Sequence, residues 1–196
     1  MAGDTLLQLI VFAVAALFTP GPNNIMLASS GARFGLGRTL PHLFGVTTGF
    51  ALMLFAIALG LGTVFERSAL LREALRWLSA AVMLWIGWKI GTAGRAGETE
   101  AERPFTYLEA AAFQWINPKA WTIAIAVAAG SATGTAPILE AAIVALVFLA
   151  VGIASAATWT LAGTAIRRFL SSERRLRLFN AAMGLMVAAC AAMLFV

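Results

Sequence analysis

The sequence has few charged residues, and this scarcity excludes an ordinary water-soluble domain. Only 12% of its 196 residues are Asp, Glu, Lys or Arg, whereas 61% are hydrophobic. Soluble domains average about 25% charged and about 45–50% apolar residues. With so little polar surface the chain cannot cover a globule in water, so the lipid bilayer is its expected solvent.

Cysteine and histidine are almost absent, with one residue of each. Cys190 alone cannot form an intrachain disulfide or a cysteine-based metal site, and one histidine cannot supply the three imidazoles of a catalytic zinc site. The sequence also has no nucleotide-binding loop and no nucleophile paired with a base. We therefore predict no catalytic residues, no bound metal and no cofactor, in a protein that is not an enzyme.

Long hydrophobic runs separated by short loops make up most of what the sequence does contain. A transmembrane helix needs about 20 mostly apolar residues, and six segments approach that length, near 5–28, 40–63, 69–91, 106–131, 137–162 and 177–196. The first run lacks a preceding basic region and is expected to remain rather than be cleaved as a signal peptide. The sequence thus predicts an all-α, polytopic membrane protein with a single transmembrane domain over 1–196.

The basic residues, which give a net charge of +5, lie mostly in alternate loops. Ten follow the first, third and fifth segments: Arg33, Arg38, Lys89, Arg95, Arg103, Arg167, Arg168, Arg174, Arg175 and Arg177. The opposite side has Arg67, Arg72 and Arg76. Because basic loops stay in the cytoplasm, we predict a multi-pass protein of a bacterial inner membrane with both termini periplasmic. The charge then sets topology, and no nucleic-acid partner is expected.

The two halves of the chain resemble each other on either side of a polar linker at 92–104. Residues 75–84 align with 176–185 and share Leu, Arg, Ala, Ala and Leu at equal positions. Three helices in each half, about 5–91 and 105–196, would insert with opposite orientations. This pattern is typical of inverted-repeat transporters, whose substrate site lies between the repeats near the bilayer midplane.

Prolines interrupt the first and fourth predicted helices near their middles. The segment Thr19-Pro20-Gly21-Pro22-Asn23-Asn24 should open the first helix, because proline removes a backbone donor and clashes with the preceding turn. In the fourth helix Asn117 suits the N-cap and Pro118 the first position of a new half-helix. Lys119 and the positive end of that half-helix would attract an anion, with Gln114 nearby. We therefore predict that these two segments bind a solute carboxylate.

Three ionisable residues in the predicted helices have alternative interpretations. A lysine at the bilayer centre costs about 2.5–3.5 kcal/mol, so Lys119 marks a pathway unless it snorkels or pairs with Glu109. His42 and Glu109 are candidates for proton coupling, since histidine titrates near neutral pH. A simple interfacial histidine is the alternative for His42. Glu109 lies about 15 Å from Lys119 along a straight helix, too far for direct contact.

Small residues spaced four apart allow helices to approach closely. Gly31 with Gly35, and Gly45 with Gly49, have this spacing. We expect these glycines to serve helix packing, either within the monomer or across a dimer.

With this glycine series, the motifs Thr19-Pro20-Gly21-Pro22-Asn23 and Asn117-Pro118-Lys119-Ala120 resemble the LysE/RhtB family of amino-acid exporters, over the whole chain. The resemblance implies secondary active export of amino acids of the lysine, homoserine and threonine type, by alternating access. It also implies coupling to the proton gradient and a homodimer in the lipid bilayer. Many relatives have a polar or acidic residue just after the second glycine of helix two, where this chain has Phe50. That difference favours a neutral or weakly polar amino acid.

Two other functions remain open at this point. The chain could export a cation or another small metabolite, although buried carboxylates are scarce. Alternatively it could be a non-transporting membrane scaffold or accessory subunit. The scaffold hypothesis predicts helix breaks that face lipid rather than each other, with no polar cavity between them.

Overall fold

The computed structural model describes residues 3–93, 103–131, 136–170 and 172–195. Within them lie the helices α1 Gly3–Phe18, α2 Pro22–Ala56, α3 Gly62–Arg67, α4 Ala69–Gly91, α5 Tyr107–Phe113, α6 Pro118–Ser131, α7 Pro137–Arg167 and α8 Glu173–Ala192. A wider helical turn, Ile57–Leu61, joins α2 to α3. The all-α prediction is confirmed for the described residues, while most of the predicted linker at 92–104 lies outside them.

In the described part of the chain, three helical segments are long and apolar enough to cross a membrane: Pro22–Leu61, Pro137–Arg167 and Glu173–Phe195. Two shorter apolar helices, Thr5–Phe18 and Pro118–Ala128, accompany them. Helix α4 has the predicted bounds, 69–91, but carries charged residues in its first two turns. Large apolar side chains point outward, as expected against lipid, and Leu185 is 70% exposed. The protein is therefore a helical membrane protein, and the count of six spans stays a prediction.

Helix α2 is too long for a single span and bends in its first half. Together with the turn that follows it, α2 extends over Pro22–Leu61, which has 40 residues, about 60 Å if straight, twice the hydrocarbon thickness of about 30 Å. At Gly35 the backbone leaves the helical region, with φ 78° and ψ 171°. The hydroxyls of Ser30 and Thr39 come within 3.0 Å across this bend, whereas nine residues of straight helix span about 13.5 Å. Instead of the predicted loop over 29–39, the chain stays helical and turns at one glycine.

Substituting Gly35 with alanine should destabilise the protein, because the φ and ψ of this residue lie in a region that is essentially restricted to glycine. The expected loss is about 1–3 kcal/mol, measured as a lower midpoint of thermal unfolding in detergent. Gly37→Ala is the matched control, since an added Cβ at that position of α2 meets nothing within 4 Å. Equal unfolding midpoints for the two variants would contradict the assignment of the bend to Gly35.

Glycines allow the backbone of α2 to lie directly against the backbones of α7 and α5. A Cβ added at Gly31 would collide with the Thr160 carbonyl of α7, and one at Gly45 with the Tyr107 carbonyl of α5. At Gly49 the added atom would lie 2.6 Å from the Cα of Ala111. These contacts are within the chain. Gly35, which was expected to pack in the same way, instead forms the bend, where an added Cβ would lie 3.4 Å from the guanidinium of Arg167.

Candidate substrate site

The first helix break separates α1 from α2 over residues 19–21. Gly21 is fully extended there, and Pro22 begins α2. The break frees carbonyl groups at the end of α1, which would be costly in lipid without partners. Asn24 Nδ2 donates to the carbonyls of Leu17 (2.7 Å) and Thr19 (3.0 Å), and Ser155 Oγ of α7 donates to Leu17 (2.8 Å). The protein itself therefore stabilises the opened backbone.

The second break lies between α5 and α6. After a 3-10 turn at Gln114–Ile116, Asn117 is extended with φ −83° and ψ 110°, and α6 starts at Pro118. Asn117 Oδ1 accepts a hydrogen bond from the Lys119 backbone N–H at 3.1 Å, so the predicted N-cap is confirmed. Ser79 Oγ of α4 donates to the freed Ile116 carbonyl at 2.5 Å. Here too the broken backbone is satisfied within the protein.

The two breaks lie directly against each other. Lys119 Nζ donates to the Thr19 carbonyl at 2.7 Å and lies 3.4 Å from that of Pro20. A positive charge at the carbonyl end of α1 is favourable because that end of a helix carries partial negative charge. The side-chain amides of Asn23 and Gln114 also pair, through hydrogen bonds of 2.8 and 3.2 Å. Segments about 90–100 residues apart in sequence thus form one polar centre.

A small cavity of about 40 Å³ lies at this centre. Its lining includes Gly21, Asn23, Asn24, Phe50, Asn117 and Lys119. The volume has room for a few water molecules, at about 10–15 Å³ each, so the cavity is too small to hold an amino acid in this structure. The other predicted site residues, Thr19, Pro20, Pro22, Gln114 and Pro118, adjoin the cavity in sequence and do not line it.

Some residues of the centre had no sequence signal that singled them out. Ser155 of α7 and Ser79 of α4 hydrogen-bond to the breaks, but an isolated serine in an apolar helix is common and suggests no contact. Ala16 and Ile123 line the cavity through apolar surface alone. Their positions follow only from how the helices pack.

Glu109 does not pair with Lys119, so that alternative for Lys119 is wrong. The Glu109 carboxylate forms a two-pronged ion pair with Arg103, at 2.6 and 2.7 Å, and accepts the Thr106 backbone N–H at 2.8 Å. With Thr106 it makes the capping box that starts α5. The ion pair raises the pKa of Arg103 above its ordinary value, through the hydrogen bond and the charge of the carboxylate. Glu109 thus has a structural role at the start of α5.

His42 lies inside α2 and is 1% exposed, so its ring is buried within the protein, and its interpretation as an interfacial histidine stays a prediction. Its ring lies 5.3 Å from that of Phe105. Neither ring nitrogen has a hydrogen-bond partner among the described residues. His42 lines a second, much larger cavity of about 620 Å³ between α2, α4 and α5. A buried imidazole without partners is costly, which marks this place as unusual in the fold.

The arrangement of the two helix breaks can be compared with the scaffold and cation-export hypotheses. The scaffold hypothesis predicts breaks that face lipid and no polar space between them, whereas the breaks contact each other and line a cavity with three asparagines and a lysine. No cluster of ligands for a metal ion occurs among the described residues. The polar centre suits a small solute with hydrogen-bonding groups.

Several efflux proteins are similar to this chain over most of its length. It is 28% identical to the cysteine/O-acetylserine efflux protein of Klebsiella pneumoniae over 179 residues, which cover 89% of the chain and 90% of the relative. It is 26% identical to the cysteine/O-acetylserine efflux protein of Escherichia coli strain K12 over 188 residues, or 94% of each chain. No solved structure matches it. The model of the LysE type translocator family matches residues 14–196, and the chain therefore belongs to this family.

Proposed function

We propose that this protein is a secondary active exporter of small, neutral α-amino acids, and that the solute crosses between the two helix breaks. The observation that carries the proposal is the contact of Lys119 Nζ with the Thr19 carbonyl, which joins both breaks across a polar cavity. Relatives named as cysteine/O-acetylserine efflux proteins, similar over about nine-tenths of both chains, support the solute class.

Lys119 is the proposed receptor for the solute carboxylate. In this structure its ammonium is bound by uncharged backbone carbonyls. A carboxylate forms a charge-assisted hydrogen bond, roughly twice as strong as a neutral one. A solute that reaches the cavity can therefore displace the Thr19 and Pro20 carbonyls from the ammonium. After release the carbonyls bind Lys119 again and close the centre.

The remaining lining favours a small uncharged side chain on that solute. Asn23, Asn24 and Asn117 offer amide groups that donate and accept hydrogen bonds. Phe50 closes one wall and is 6% exposed, packed edge-on against Phe148 at 5.9 Å. Since none of the described residues that line the cavity is a carboxylate, a second positive charge on the solute would have no partner among them. Cationic amino acids are therefore disfavoured.

We further propose six spans, arranged as two inverted three-helix repeats in a bacterial inner membrane with both termini periplasmic. A break before a half-helix that begins with proline occurs in each half, at Pro22 and Pro118. Alternating access would then be a rocking of the repeats around the breaks. A homodimer remains part of the proposal on the basis of the family resemblance.

Coupling to protons needs a titratable group near the path. His42 is our candidate, because it lies at the larger cavity with both ring nitrogens without partners among the described residues. Glu109 is a weaker candidate, since Arg103 and the Thr106 backbone already hold its carboxylate. If the rate of efflux stayed the same after the proton gradient is collapsed, proton coupling would be refuted and the rest of the proposal would be unaffected.

The test is efflux from cells that are loaded with labelled amino acids and do or do not express the protein. We expect faster efflux of O-acetylserine, cysteine and serine, and no change for lysine, which serves as the cationic comparison. Folding of the expressed protein is verified by gel filtration after extraction from the membrane. Unchanged efflux of every neutral amino acid, with the protein folded in the membrane, would refute the proposal.

A further inference from the structure

The cavity of about 620 Å³ has a composition that suits an anionic group. Among the described residues, Arg33, Lys89 and Arg103 line it together with one carboxylate, Glu109, which Arg103 already pairs with. Lys89 therefore adds a positive charge that Glu109 does not compensate. Its volume falls within the range of about 300–1,000 Å³ that is usual for small-molecule sites.

His42 adds a group that can recognise a ligand rather than only attract one. Its imidazole is 1% exposed and neither ring nitrogen has a hydrogen-bond partner among the described residues. An imidazole N–H that faces a cavity can donate to a carboxylate oxygen. Burying such a group without a partner destabilises the fold, and a ligand in the cavity that completes the hydrogen bonds of the imidazole would remove this cost.

The larger cavity also lies next to the polar centre. Asn23 lines the small cavity and Met26, one turn later in α2, lines the large one. Likewise Asn117 belongs to the small cavity and Ile116 to the large one. The paired amides of Asn23 and Gln114 are therefore at the boundary between the two spaces. A solute in the large cavity would reach Lys119 by parting this amide pair.

We propose that the larger cavity is a first binding site for the carboxylate of the exported amino acid, with His42 as its hydrogen-bond donor. This inference rests on the proposed export of amino acids. Arg33, Lys89 and Arg103 belong to the segments predicted to be cytoplasmic, so the site receives the solute from the cytoplasm. The solute then moves past Asn23 and Gln114 to Lys119.

Protection of an introduced cysteine tests the site directly. Ala112 of α5 lines the cavity and is exposed, so Ala112→Cys in a Cys190→Ala background places a single thiol there. The purified protein is reconstituted in nanodiscs of neutral lipid and alkylated with a maleimide, with and without O-acetyl-L-serine. We expect slower alkylation with the solute, about tenfold when its concentration is about ten times the dissociation constant.

Two controls separate binding of a carboxylate from other effects. Ala182→Cys, on an exposed position of α8 that lines neither cavity, should be alkylated at the same rate with and without the solute. The carboxamide analogue of O-acetylserine keeps the amine and the ester but lacks the carboxylate, and it should give no protection of the thiol in Ala112→Cys. His42→Leu should abolish protection, whereas His42→Gln, which retains an N–H donor, should keep part of it.

The outcomes distinguish this site from the proposed function. Efflux in cells without protection of the thiol in the cavity overturns the site and leaves the export proposal intact. Protection without efflux removes the export proposal and leaves a carboxylate site. Equal protection by the carboxamide overturns recognition of the carboxylate. Protection by phosphatidylglycerol in the nanodisc, with no further effect of the solute, assigns the cavity to a lipid headgroup instead and also overturns the proposal.

Discussion

Replacing Lys119 with methionine is expected to lower the rate of efflux by about 10- to 100-fold. The substitution keeps the length of the side chain and removes the ammonium that holds Thr19 at 2.7 Å. Hydrogen bonds to charged groups contribute about 1.5–3 kcal/mol, which corresponds to this range of rates if they act only when the solute is bound. The measurement is efflux of labelled O-acetylserine, normalised to the amount of folded protein in the membrane.

Two further variants control for charge and for geometry at Lys119. Arg177→Met also removes a positive charge, but from an exposed i,i+4 pair with Glu173 in α8, and efflux should stay close to that of the unmodified protein. Lys119→Arg keeps the charge on a larger planar group and should restore only part of the activity, because the cavity is small. Full activity in Lys119→Met would eliminate the proposed carboxylate receptor.

Replacing Gly163 with alanine should cause a clear loss of stability. Gly163 of α7 contacts the backbone of α2 so closely that an added Cβ would lie 2.7 Å from the carbonyl carbon of Ala28 and 2.9 Å from its Cα. Backbone atoms cannot rotate away as a flexible side chain can, so the helices must separate. We expect a loss of about 1–3 kcal/mol, the usual cost of overpacking, seen as a lower thermal midpoint in detergent.

Gly130→Ala is the matched control for this prediction. It places the same methyl group on another apolar helix, α6, where nothing lies within 4 Å of the added atom. Because alanine favours helix over glycine by about 1 kcal/mol, its unfolding midpoint should stay the same or rise. If Gly163→Ala proved as stable as Gly130→Ala, the close contact between α2 and α7 would be wrong.

The positions of both helix breaks could be predicted from the sequence because their causes are local. Pro22 and Pro118 lack a backbone donor wherever they occur, and an asparagine before proline favours a helix start. The bend at Gly35 could not be predicted in the same way. Glycine permits a positive φ but does not require it, and the hydrogen bond between Ser30 and Thr39 that accompanies the bend exists only in the folded chain.

The hydrogen-bond and ion-pair partners of the site residues could not be predicted from the sequence. Lys119 stands out in the sequence, because a charge in an apolar segment needs a partner. Its partner is a backbone carbonyl 100 residues away, and every residue has a carbonyl, so composition carries no signal for it. Glu109 was the obvious carboxylate by type, yet Arg103 lies close enough to bind it first.

The contact between Lys119 and the end of α1 has a consequence for the transport cycle. When no solute is bound, the ammonium of Lys119 keeps its charge but is hydrogen-bonded by the protein's own carbonyl groups, so the empty transporter does not leave it without partners. If the solute carboxylate and the backbone carbonyls alternate as partners of Lys119, as proposed, the empty transporter can return to the cytoplasmic side without binding a second solute. Such a transporter would carry out net export of its solute and would not require exchange for another solute.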